Sequence, residues 1–111
     1  MLEAPAVPTT EFLGEAVLLE KSLRKGDRLG LRCGTARVSC EVKEIREKID
    51  SETGEVVERQ PAEINENDAA TILFATEPLV VEKFSEIPEL GRFVLVQDRN
   101  IGAGVVLESG T

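Results

Sequence analysis

The stretch LGRFVLVQDRNIGAGVVL, residues 90–107, limits the fold more than any other part of the chain. It reads as two strands joined by a tight turn at Arg99-Asn100, because asparagine tolerates positive φ. In the first strand Phe93, Leu95 and Gln97 share one face, and Arg92, Val94, Val96 and Asp98 share the other. In the second, Ile101, Ala103, Val105 and Leu107 lie opposite Gly102, Gly104 and Val106. Glycines inside a strand mark a sharp bend or a close backbone approach. A hairpin that curls in this way suits a small closed barrel better than a flat sheet. It cannot bury its apolar face alone, so the upstream chain must supply the rest of the barrel.

The remaining chain offers those strands. Residues 1–10 carry Pro5 and Pro8 among small residues and read as an extended lead-in, with one barrel domain over 11–108. EFLGEAVLLE, residues 11–20, is a strand apolar on both faces, hence one covered on both sides. Residues 21–27 connect, turning at Gly26, to a second strand over 28–33, and Gly34-Thr35 turns again. Residues 36–49 alternate as a strand at first, while Val42, Ile45 and Ile49 also fit helical spacing. A long strand with a bulge near Glu44 is the preferred reading, because a hairpin signal follows at 50–55 with Gly54 placed for positive φ. Residues 58–67 read as a loop anchored by Ile64. A buried strand over 69–75 is then interrupted at Glu77-Pro78, and another spans 79–84 before a loop over 85–91. The expected fold is all-β: a closed six-stranded antiparallel Greek-key barrel with a projecting hairpin. The expected core holds Val94, Val96, Ala103, Val105, Ile72, Phe74, Val81, Val17 and Val38, although strands apolar on both faces leave two choices of inward face.

Composition narrows the function. At 111 residues the chain is one domain with a modest core. It has four phenylalanines and no tryptophan or tyrosine, so it offers no stacking platform for single-stranded nucleic acid. It has no histidine, which removes the Ser-His and Cys-His nucleophile pairs and most zinc sites with nitrogen ligands. No catalytic or metal-binding residue is nominated. The GAG at 102–104 lacks the following Gly-Lys-Ser/Thr of a phosphate loop, and the acids of 50–68 lack calcium-loop spacing. Cys33 and Cys40 read as buried free thiols. No apolar run approaches the length of a membrane span, and MLEAPAVPTT lacks the pattern of a secretory signal, so a cytoplasmic location with no membrane partner is expected.

The net charge of −8 is unevenly spread. Residues 21–48 hold nine bases against four acids, and residues 50–68 hold seven acids against one base. Such asymmetry marks partner surfaces or solvated faces. Arg32, Thr35 and Arg37 surround one turn and could present two charges and a hydroxyl to a phosphate backbone or a protein.

The run CGTARVSCEVKEIREKIDSETGEV, then NENDAATI, EPLVVEKFSEIPELGRFVL and NIGAGVV, resembles the third, C-terminal domain of elongation factor Tu and elongation factor 1-alpha. The resemblance covers about residues 9–107, with the parts in the family's order. It implies a six-stranded barrel that packs on a second barrel and on a GTPase domain, both separate from these residues. GTP and magnesium would then bind elsewhere, and this chain alone would not be an enzyme. The implied partners are aminoacyl-tRNA, or a protein in release- and rescue-type members. Thr35 matches a tRNA-backbone contact of the family, and Arg92 matches its G-R-F. Short turns at 99–101 and 21–24 are similar to the GTPase subunit of sulfate adenylyltransferase, the alternative implied. A free-standing protein-binding barrel is the other.

Overall fold

Three phenylalanine rings decide which way the strands face. Phe12, Phe74 and Phe93 are 0–2% exposed, and their ring centroids lie 5.3–5.4 Å apart. Edge-to-face and tilted contacts of this kind add to the stabilisation from apolar burial alone. The computed structural model describes residues 9–50, 52–81 and 91–109, and its strands wrap around this cluster.

Among the described residues nine strands follow in order: β1 Thr9–Leu18, β2 Leu23–Arg24, β3 Arg28–Cys33, β4 Ala36–Ile49, β5 Val56–Arg59, β6 Glu63–Ile64, β7 Ala69–Leu79, β8 Arg92–Gln97 and β9 Arg99–Ser109. The sheet runs β3-β8-β9-β1-β7-β4, and β4 pairs back on β3 to close a six-stranded barrel. Every pairing is antiparallel. Three consecutive barrel strands, β3, β4 and β7, lie side by side, and β1 returns beside β7, which is the Greek-key order. β5 extends the sheet beyond β4 as the projecting hairpin. The barrel and hairpin expected from the sequence are both present.

The inward face differs from the expected one on three strands. Ile72, Phe74 and Val81 are buried as expected, and Val38 packs half-buried against the core. Val17, Val94, Val96, Ala103 and Val105 instead face outward, half-buried or exposed, while Phe12, Ala16, Leu18, Phe93, Leu95 and Val106 fill the interior. Ring volume explains the choice. A Cβ on Gly104 would lie 2.7 Å from the Phe93 ring and closer still to the carbonyl oxygen of Glu15; one on Gly14 would lie 2.9 Å from the same ring. Gly104 therefore faces inward to make room for Phe93, and Gly102 leaves room for the Val17 carbonyl and the Leu95 and Leu18 side chains, which are the close approaches their positions signalled.

Other boundaries shift for local reasons. β1 starts at Thr9, so the last two residues of the expected lead-in are strand; residues 1–8 lie outside the described residues. β4 is one long strand whose register shifts between Val42 and Glu44 and again between Ile45 and Glu47, where the bulge was expected. The closing turn pivots on Asp98, with φ 68°, and Arg99-Asn100 already belong to β9. Aspartate adopts the left-handed region nearly as readily as asparagine. β7 runs through Glu77-Pro78 to Leu79. Pro78 sits where the β1–β7 register is irregular, so no ladder bond is lost there. Residues 82–84 of the strand expected at 79–84, and 85–90 of the next loop, lie outside the described residues.

The short pair β2 and β6 replaces part of the connection and loop expected there. It places Leu23 opposite Ile64, both fully buried. Ile64 is the anchor expected, and two-residue strands are too short to show a period.

Candidate partner-binding surface

Arg32, Thr35 and Arg37 converge on one corner. β3 and β4 are joined by the two-residue turn Gly34-Thr35, with Cys33 opposite Ala36. Gly34 has φ 61° while Thr35 does not, the pattern of a type II′ turn, whose twist matches that of the flanking strands. The turn sets Arg32 directly opposite Arg37. Residues so paired have Cβ atoms about 5 Å apart, and like charges in that position destabilise a sheet. Both arginines and Thr35 are exposed.

Ion pairing separates these bases from the others in residues 21–48. Lys21 pairs with Asp98, Arg24 with Glu63, Arg28 with Glu41, Lys43 with Glu11, Arg46 with Glu44 and Lys48 with Asp68. Glu11 beside Lys43 raises the pKa of its ammonium. Among the described residues, Lys25, Arg32 and Arg37 are the bases of that segment whose side chains have no such partner. Guanidiniums have the planar donor geometry that carboxylates and phosphates match.

Cross-strand register carries the row outward from this corner. Arg37 faces Arg32, Arg32 faces Val94, Val94 faces Ala103, and Ala103 faces Val17. One outer row thus passes from two charges to three apolar side chains. Val17, Leu19 and Leu107, on or beside β1 and β9, are 36%, 54% and 37% exposed. Arg92 lies two residues from Val94 on the same outer face. Sequence patterning does not identify the apolar part as surface, although the two-sided apolar character of residues 11–20 signals it.

The thiols are free and buried, as expected. Burial raises the pKa of both, that of Cys40 to about 12. Among the described residues, no three His, Cys, Asp or Glu side chains are grouped to hold a metal, and no helix is long and apolar enough to cross a membrane.

Residues 13–107 match the family described as GTP-eEF1A C-terminal domain-like. The chain belongs to this family. It is 49% identical over 76 residues to elongation factor 1-alpha of Aeropyrum pernix, covering 67% of this chain and 17% of the relative. It is 36% identical over 111 residues to that of Methanoculleus marisnigri, covering 96% of this chain and 26% of the relative. The chain therefore spans about a quarter or less of these relatives' length. Among solved structures, Sup35 complexed with GDP superposes with a TM-score of 0.90 at 22% identity, over 98% of this chain and 28% of that one. That likeness shows a shared barrel. These relatives do not favour the sulfate adenylyltransferase alternative.

Proposed function

We propose that this barrel is the non-catalytic C-terminal module of an elongation factor 1-alpha-like, cytoplasmic translational GTPase. In this reading it docks through its outer apolar row on sibling GTPase and second-barrel domains, and the Arg32–Thr35–Arg37 corner meets tRNA or a protein partner. One observation carries it: the row Arg37, Arg32, Val94, Ala103, Val17, in which an unneutralised basic pair adjoins apolar side chains left outside the core. Apolar residues on the outside of a closed barrel gain by being covered. Catalysis and nucleotide binding would reside in the sibling domains, with GTP and magnesium held there.

The experiment is to mix this chain with the GTPase and second-barrel portion of Aeropyrum pernix elongation factor 1-alpha and follow the mixture by gel filtration. A one-to-one complex is expected, and Val17→Asp should abolish it because a charge would be buried in the contact. Arg32→Ala with Arg37→Ala should leave it intact. Absence of a complex, or one indifferent to Val17→Asp, contradicts the docking role.

A further inference from the structure

We propose that the β4–β5 hairpin docks a lysine- or arginine-rich extended segment of a partner protein. Among the described residues, two of the five exposed large hydrophobics, Val56 at 42% and Val57 at 60%, lie in the four residues of β5, away from the outer row of β8, β9 and β1. All four residues of β5 are exposed, and β5 is the outermost strand of the sheet, paired only on its β4 side among the described residues. Ile49 faces Val56 and Lys48 faces Glu58, so Val57 is the extra residue of a bulge. A bulge re-aims a side chain and is common at sheet edges.

The hairpin is held in shape before any partner arrives. The Asp50 carboxylate accepts bonds from the backbone N–H of Glu52 at 2.8 Å and of Thr53 at 3.1 Å. The Gly54 N–H donates to the Asp50 carbonyl, and the Asp50 N–H to that of Glu55. Docking on a preformed hairpin costs little ordering entropy.

Charge selects the occupant. Ile49 and Val57 line an open cleft of about 360 Å³ that Asp50, Glu52 and Asp68 also border. The Lys48 ammonium already pairs with Asp68, at 3.4 Å. Among the described residues no base pairs with Asp50, Glu52, Glu55 or Glu58. Lysine and arginine lay an aliphatic stem on apolar surface while keeping the charge at its edge. Val57 and Ile49 suit the stem, and Asp50 and Glu52 suit the cation. The same acids repel a phosphate backbone.

The test is fluorescence anisotropy of a labelled peptide of alternating lysine and valine added to the full chain. A labelled alternating glutamate–valine peptide and a labelled uridine oligonucleotide, each titrated separately, serve as controls. The lysine peptide is expected to bind, to weaken as salt rises, and to shift the amide resonances of Val56–Arg59. Val57→Ser should weaken it about tenfold, the loss expected for one buried valine. Glu52→Lys, at an exposed position, should weaken it further, while Arg32→Ala with Arg37→Ala leaves it unchanged. Urea midpoints equal to that of the parent show that both variants fold; should Val57→Ser lower the midpoint, Glu52→Lys alone decides. The proposal is overturned if the labelled glutamate peptide or the labelled oligonucleotide binds equally well, if Glu52→Lys has no effect, or if the hairpin resonances move only with self-association.

Discussion

The two ends of β4 carry opposite charge and are built on opposite plans. Near its start, Arg37 stands beside Arg32 with no carboxylate of the described residues paired to either, on a two-residue turn that leaves both side chains exposed. At its far end, about 40 Å on at ~3.3 Å per residue, Ile49 enters a hairpin rich in carboxylates whose backbone is tied by its own Asp50. Between them the strand belongs to the core through Cys40, Val42 and Ile45. Six of the nine bases in residues 21–48 are paired within the fold, so sequence charge counts overstate the basic face; among the described residues its unpaired bases are Arg32 and Arg37 at one corner and Lys25 apart from them, beside Glu44 and Gln60. A single strand thus holds a candidate anion site and a candidate cation site too far apart for one small partner to span.

The largest effect expected removes both ends together. Phe74 faces Val42 across the β4–β7 ladder and touches both other rings. Phe74→Ala should cost about 3–5 kcal/mol, the usual range for a buried aromatic. Urea denaturation followed by amide resonances at both ends should show one coincident transition. If the hairpin melts separately, the two ends are not one cooperative unit.

A smaller effect distinguishes the interior of the basic end from its surface. Burial pushes the Cys40 thiol from 9.0 to about 12, so the folded state prefers the protonated form. Its contribution to stability is whole below pH 9 and declines from there towards pH 12, as the thiol ionises only in the unfolded chain. Stability measured across that interval should fall less steeply in Cys40→Ala than in the parent. Equal slopes would mean that the thiol is not desolvated.

Smaller again is the strain of the basic pair itself. Arg32→Glu places opposite charges across the β3–β4 ladder and should raise stability by about 0.5 kcal/mol, read from the urea midpoint at low salt. Lower stability would mean that Arg32 has a partner the fold needs.

Most of this architecture is legible in the sequence, although the closing turn falls at Asp98 and β7 runs on through Pro78, and one larger choice, the inward face, is misjudged. Turn chemistry at Gly34 and Gly54, the bulge near Glu44 and the buried Ile64 are all readable, because each depends on a few adjacent residues. The inward face of β1, β8 and β9 is not, because Val17 and Phe12 both lie on apolar faces and period-two patterning cannot rank them. Ring packing against Gly14 and Gly104 ranks them, and that packing joins strands distant in sequence. The residues so displaced, Val17, Val94 and Ala103, are those of the proposed docking row. Arg32, Thr35 and Arg37 are legible as a cluster from their turn, but the neutralisation of the other bases by ion pairs is not, since Glu11, Glu63 and Asp98 reach them only through the fold.

The most direct test of the contrast between the two ends is tRNA binding by this chain at a series of salt concentrations. Affinity should fall steeply with salt, and Arg32→Ala with Arg37→Ala should reduce the slope by about two, one for each guanidinium that no longer neutralises a phosphate. Glu52→Lys at the other end should not weaken binding. Absence of binding at low salt, or a slope unchanged by the double substitution, would contradict tRNA as the partner proposed for the Gly34-Thr35 corner.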